Sequence, residues 1–129
     1  MRDLEKPREK SLEGDLDWIC ESFGFYEEID REKTASKIFR ELLNSATEAE
    51  GLTSTSLGEG SDVTRGAALN HLKRMIASGL VVKDGNKYSL RCSSLYRTIN
   101  EVRRDVDRLF EDVEAVAADI DLEMGVRER

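Results

Sequence analysis

The stretch from Asp62 to Leu90, DVTRGAALNHLKRMIASGLVVKDGNKYSL, decides how the chain is read. Val63, Ala68, Leu72 and Met75 lie five, four and three residues apart, which puts them on one helix face. Asp62 or Thr64 can cap the first turn by accepting a bond from an orphan backbone N–H. Gly79 offers the left-handed conformation that ends a helix. Leu80-Val81-Val82 opens a strand, Asp84-Gly85-Asn86 supplies a turn, and Lys87-Tyr88-Ser89-Leu90 returns. The expectation is a helix feeding directly into a hairpin with a basic tip.

Upstream, Leu52-Thr53-Ser54 through Leu57 reads as a short helix capped by Thr53 or Ser54, followed by a loose, Gly-rich linker from Gly58 to Ser61. Val63-Thr64-Arg65-Gly66 then resembles the turn and start of a recognition helix. His71-Leu72-Lys73-Arg74-Met75 followed by Ser78-Gly79-Leu80-Val81 resembles the signature of ArsR- and MarR-like winged-helix transcriptional regulators. The resemblance covers roughly residues 32 to 91. It implies a mainly α fold with a small β-hairpin wing (α+β), a winged helix-turn-helix domain and a terminal dimerisation helix. The cysteine-rich metal-sensing motif of some ArsR-like proteins is absent, so metal sensing is not carried over.

The ends of the chain are read from periodicity. Residues 1–10 are highly charged, contain the one proline, Pro7, and are expected to form a disordered arm. Residues 11–29 are expected to hold a helix and a linker. Ser11 starts the helix, Leu12, Leu16, Ile19 and Phe23 form its apolar stripe, and Gly24 ends it. Trp18 lies off the centre of that stripe. Phe25 to Ile29 is the linker.

Residues 30–92 are the expected winged helix-turn-helix domain. It opens with a helix capped by Asp30, with Glu32 in its first turn, running to about Glu50 and stopping at Gly51. Ala35, Ile38, Phe39, Leu42, Leu43 and Ala46 are its core-facing band. Residues 93–124 form the second strong signal. Leu95, Ile99, Val102, Val106, Leu109, Val113, Val116 and Ile120 follow one another at 4, 3, 4, 3, 4, 3 and 4 residues, with no glycine or proline from Ser93 to Met124. A seam this long cannot be buried on a small domain alone, so a coiled-coil homodimer is expected. Its valine-rich pattern leaves parallel and antiparallel pairing open. Residues 125–129 are a tail.

Charge is unevenly spread. The net value is −7, but residues 62–91 carry six basic and two acidic side chains and form the one positive segment. Residues 1–61 carry 8 basic and 15 acidic groups, and residues 92–129 carry 6 and 10. Phosphate binding depends on the local field, so one basic face suffices for DNA.

Candidate DNA contacts follow. Thr64 sits near a helix N-terminus, where backbone phosphate is naturally held. Arg65 and Asn70 suit bidentate contacts to guanine and adenine in the major groove. Gly66 and Ala67 allow close approach, while Lys73 and Arg74 suit phosphate. Lys83, Lys87 and Arg91 on the wing suit the backbone or minor groove. By resemblance His71 reaches DNA; as a bare residue it reads equally as a hydrogen-bonded edge of the core. Tyr88 reads as core packing rather than base stacking.

Other classes find little support. There is no GxxxxGK loop, no GxSxG and no HExxH, and one histidine cannot build a histidine metal cluster. Gly58-Glu59-Gly60 lacks a preceding strand and a third glycine, so it is not read as a cofactor loop. Cys20 and Cys92 form no CxxC pair and read as reduced, structural thiols. No enzyme activity, metal or cofactor is expected.

The expectation is therefore a cytoplasmic, homodimeric transcriptional regulator, a repressor, partnered by double-stranded DNA and its own copy and by no membrane. An effector pocket between the N-terminal and dimerisation helices is compatible with this, and no residue marks its ligand. A winged-helix adaptor with a coiled-coil arm, binding protein rather than DNA, is the alternative.

Overall fold

The computed structural model describes residues 4–6, 11–24, 33–46 and 51–126. Most of the expected arm, the Phe25–Ile29 linker, the Asp30 cap with Glu32, the helix end at Glu50 and the tail beyond Val126 lie outside the described residues. Within them the chain forms five helices, the last of them long and C-terminal, and a small three-stranded antiparallel sheet.

Helix α1 (Leu12–Ser22) starts as its sequence suggests, with Ser11 Oγ accepting the Gly14 N–H at 3.0 Å. Its stripe is only partly buried. Leu16 is buried and Ile19 and Phe23 are half-buried, but Leu12 is exposed and fully buried Cys20 joins the core instead. Neither cysteine is in a disulfide.

Helix α2 (Thr34–Asn44) is the floor of the core, where Ala35, Ile38, Phe39 and Leu42 are all fully buried. Its apolar residues at 3- and 4-residue spacing leave one wide face with no water contact. The helix is shorter than expected and ends at Asn44, before Glu50, with Ser45 and Ala46 in a turn. Its N-cap is Lys33 in the left-handed region (φ 53). Lys33 Nζ donates to Asp17 Oδ2 at 2.7 Å, which fastens α2 to α1. That bond raises the lysine pKa above its ordinary value.

Two expectations about residues 52–61 are overturned. Leu52 and Thr53 do not begin a helix. They form strand β1 (Leu52–Thr53), paired antiparallel with Tyr88 and Lys87. Gly51 precedes it where a Cβ would stand 2.6 Å from the Tyr88 carbonyl oxygen, so only glycine lets the two backbones meet. Nor is Gly58–Ser61 a loose linker. Helix α3 (Ser54–Gly60) runs through both glycines, capped by Thr53 Oγ1 accepting from Ser56 N at 3.1 Å. Gly58 is buried in the tight turn, and Val63 N donates to its carbonyl at 2.8 Å. Tertiary packing has overridden the low helix propensity of glycine.

Helix α4 (Arg65–Ala77) buries Ala68, Leu72 and Met75 completely. Val63 lies ahead of the helix and is half-buried. Thr64, not Asp62, is the cap: its Oγ1 accepts the Ala67 N–H at 3.1 Å. Asp62 instead occupies the left-handed region (φ 56) in the turn between α3 and α4. Gly79 (φ 86) ends the helix, with Leu80 N bonded to Met75 O and Gly79 N to Ile76 O, the paired bonds of a Schellman cap.

Strands β2 (Val81–Asp84) and β3 (Lys87–Leu90) form the expected hairpin around Gly85 (φ 61) and Asn86. The sheet order is β1-β3-β2, so β3 is central. Tyr88 and Leu90 alternate into the core, as their spacing predicts. Helix α5 (Leu95–Met124) has 30 residues and is about 45 Å long at 1.5 Å per residue. Ser94 caps it, and fully buried Thr98 anchors its first turn by accepting from Cys92 N at 3.0 Å and donating to Ser94 O at 2.8 Å. No helix among the described residues is long and apolar enough to cross a membrane.

Candidate nucleic-acid interface

The exposed side of α4 follows from its buried side. With Ala68, Leu72 and Met75 fixed inward, the opposite ridge carries Gly66, Asn70, Lys73 and Ala77 at spacings of four, three and four, all exposed. Arg65 stands off this ridge on one flank at the helix start, where its Nε donates to Ser54 Oγ at 3.2 Å. That bond, from the first residue of α3, holds the guanidinium over the α3–α4 junction. Ser54 carries no charge or motif, so its role shows only once the two helices meet.

The other candidates on α4 are divided. Ala67, His71 and Arg74 are half-buried and share a flank of the helix. Gly66, Asn70 and Lys73 are therefore brought together on the open ridge, Arg65 is exposed on one flank of it, and His71 and Arg74 sit on the other. Thr64 uses its hydroxyl oxygen in the cap.

In the hairpin, Lys83 is exposed and stands 5.6 Å from the centre of the buried Tyr88 ring, its cross-strand neighbour. The ring face attracts the cation and orients it. Lys87 lies across from Asp84 next to the turn. Arg91 is placed differently. Its Nη1 donates to Asp105 Oδ2 at 2.6 Å and its Nη2 to Oδ1 at 3.3 Å, with Glu101 4.0 Å away. The guanidinium is turned toward α5 and fastens the end of the hairpin to it, which separates Arg91 from the other DNA-contact candidates. This bond holds the Asp105 carboxyl below the usual carboxylate range.

The expected dimer seam is also divided. Leu95 and Ile99 are half-buried and Val102 is 7% exposed, packed on the chain's own core. Val106, Leu109, Val113, Val116 and Ile120 are exposed. Phe110 and Met124, which the heptad count passes over, are exposed beside them. Each lies one residue beyond a seam position or its continuation, a signal legible as a widened stripe.

A hollow between α1 and α2 is lined by Glu13, Leu16, Asp17, Lys33, Ser36, Lys37 and Arg40, none of them on α5. Among the described residues no cluster of three or more His, Cys, Asp or Glu could hold a metal ion. Comparison with known proteins returns no family model, no curated relative and no solved structure that matches the chain.

Proposed function

We propose that the chain is a winged-helix, sequence-specific DNA-binding protein that works as a homodimeric transcriptional regulator, with α4 in the major groove and the β2–β3 hairpin on the backbone or minor groove. The observation that carries this reading is the order α2, β1, α3, α4, β2, β3, in which a capped helix with an open polar ridge leads straight into a hairpin bearing Lys83 and Lys87. Arg65 and Asn70 read base edges, and Lys73, Lys83 and Lys87 contact phosphate. The exposed half of the α5 seam joins the two subunits. Control of transcription, most simply repression, then follows from occupying an operator with two half-sites.

The adaptor reading draws on the −7 net charge and on a loose Gly58–Ser61 segment. That segment is helical through Gly60, which removes the second support. The deciding experiment is fluorescence anisotropy with the duplex upstream of the chain's own coding sequence, against a scrambled duplex, across a salt series. The native chain is expected to prefer the upstream duplex and to weaken steeply with salt, and Arg65→Ala/Asn70→Ala is expected to lose the preference. Absence of duplex binding at low salt overturns the proposal in favour of the adaptor.

A further inference from the structure

We infer that a second copy of this chain covers the free part of the α5 seam running antiparallel, with Leu109 of one copy level with Ile120 of the other. This rests on the dimer half of the reading above and goes beyond it by fixing direction and register. The seam is one helix face used twice. Leu95, Ile99 and Val102 pack on the chain's own core. Val106, Leu109, Val113, Val116 and Ile120 continue the same face into solvent. The chain's own domain reaches along α5 as far as Asp105, which Arg91 holds. The free length is therefore Val106 to Met124, the last helical residue, about 27 Å.

A closed pair of identical chains is related by a two-fold axis. An axis along the helices makes them parallel and in register. Both copies would then need the space in front of Leu95, Ile99 and Val102, which each chain's own core already fills. Splaying the domains apart would lift Val106 and Leu109 off the copy and leave much of the stripe open. An axis across the helices makes them antiparallel, and each domain then lies beyond the end of the other helix.

Room then sets the register. If Leu109 were level with the copy's Val113, the copy's Val102 would be level with Ile120, and the core that buries Val102 would stand where Ile120 does. With Leu109 level with Ile120, Val113 meets Val116 and the copy's Asp105 falls level with Met124. Each free helix then fills the gap between the two domains. Shifting a further heptad apart leaves Val106 and Leu109 past the end of the copy's helix. The seam residues from Val106 to Ile120, with Phe110 and Met124 beside them, are 41–75% exposed. Covering them on both chains buries on the order of 1,000 Å², the size at which a specific interface begins.

Like edges meet in this arrangement. The edge that carries Phe110, Ala117 and Met124 closes on its equivalent, so the widened stripe is covered on both chains. On the other edge Asp112 comes near the copy's Asp119, and Arg108, one turn before Asp112, lies within a turn of both. Arg103 comes within a turn of the copy's Glu123, the charged residue that continues the seam after Ile120.

The direction matters for DNA. The two domains stand at opposite ends of the pair, with the Leu95 positions about 58 Å apart along it. That separation is nearer to two duplex turns than to the roughly 34 Å of one.

The test is disulfide cross-linking of the full chain in a Cys92→Ser background, Cys20 being buried. A tagged Leu109→Cys chain is mixed with an untagged Ile120→Cys chain under reducing conditions and then mildly oxidised. The mixed covalent dimer is expected, and neither variant alone is expected to cross-link. Covalent homodimers of either variant alone would show parallel pairing and overturn the inference. A mixed dimer of Val106→Cys with Val116→Cys in its place would show the shorter register and overturn it too, as would a chain that sediments as a monomer and cross-links in no combination. No DNA is present, so the expected cross-link without duplex affinity would retain this inference and reject the DNA reading.

Discussion

Arg91, one residue past β3, grips both carboxylate oxygens of Asp105 on α5, at 2.6 and 3.3 Å. Together with the packing of Leu95, Thr98, Ile99 and Val102, this fork ties the long helix to the rest of the fold. Because Asp105 titrates below its ordinary range when folded, the pair stabilises the fold above the unfolded carboxylate pKa and ceases to do so as pH falls through the folded value. Asp105→Asn is therefore expected to melt lower than the native chain at neutral pH and low salt. The gap should close in acid below about pH 4 and narrow in high salt. Thermal melts of the two proteins over pH and salt check this.

Gly58 faces the Val63 carbonyl so closely that an added Cβ would stand 2.8 Å from its oxygen. Gly58→Ala gains helix propensity and loses the turn. The clash is expected to win, destabilising the chain by about 1–3 kcal/mol in urea unfolding. A more stable variant would mean that the α3–α4 turn can open without cost.

The two halves of the α5 seam should respond oppositely to the same change. Val102→Lys puts a cation where the chain's own core is closed and is expected to unfold it. Val113→Lys puts it on open surface, so a native circular dichroism spectrum should persist while self-association is lost in sedimentation. Retained association of a folded Val113→Lys chain would show that the seam is not the subunit contact.

Lys73 and Lys83 are both exposed and both assigned to phosphate. Replacing either by alanine should weaken binding to all duplexes alike. It should also lower the slope of log K against log salt by roughly 1, with sequence preference intact. Arg91→Ala should leave that slope unchanged, since its guanidinium faces α5. Anisotropy titrations at several salt concentrations distinguish the two behaviours.

What could be read beforehand depended on range. α4, the hairpin and α5 announce themselves because their signals are local: a cap, a left-handed glycine, and eight apolar residues in strict succession. β1 has two residues, too few to show alternation, and exists because Leu52 and Thr53 find Tyr88 and Lys87 far along the chain. The start of α3 and its Thr53 cap were legible, but its continuation was hidden by Gly58 and Gly60, and Gly58 is there for a contact rather than a propensity. On the candidate interface the charges were visible but not their neighbours. Nothing in the string distinguishes Arg65, held at the α3–α4 junction by Ser54, from Arg91, turned away by Asp105. The heptads ran unbroken although the fold divides them between two surfaces.

The short strand β1 also governs how the protein behaves in concentrated solution. By pairing with β3 it leaves the sheet only two outer borders, one a stub of two residues and the other the outer side of β2, where Val82, Lys83 and Asp84 are exposed. A border that short, or interrupted by charge, is a poor template for fibrillar growth. Among the described residues the longest run of exposed apolar side chains lies instead on α5, a helix, whose backbone hydrogen bonds are already made and offer no edge to a growing fibril.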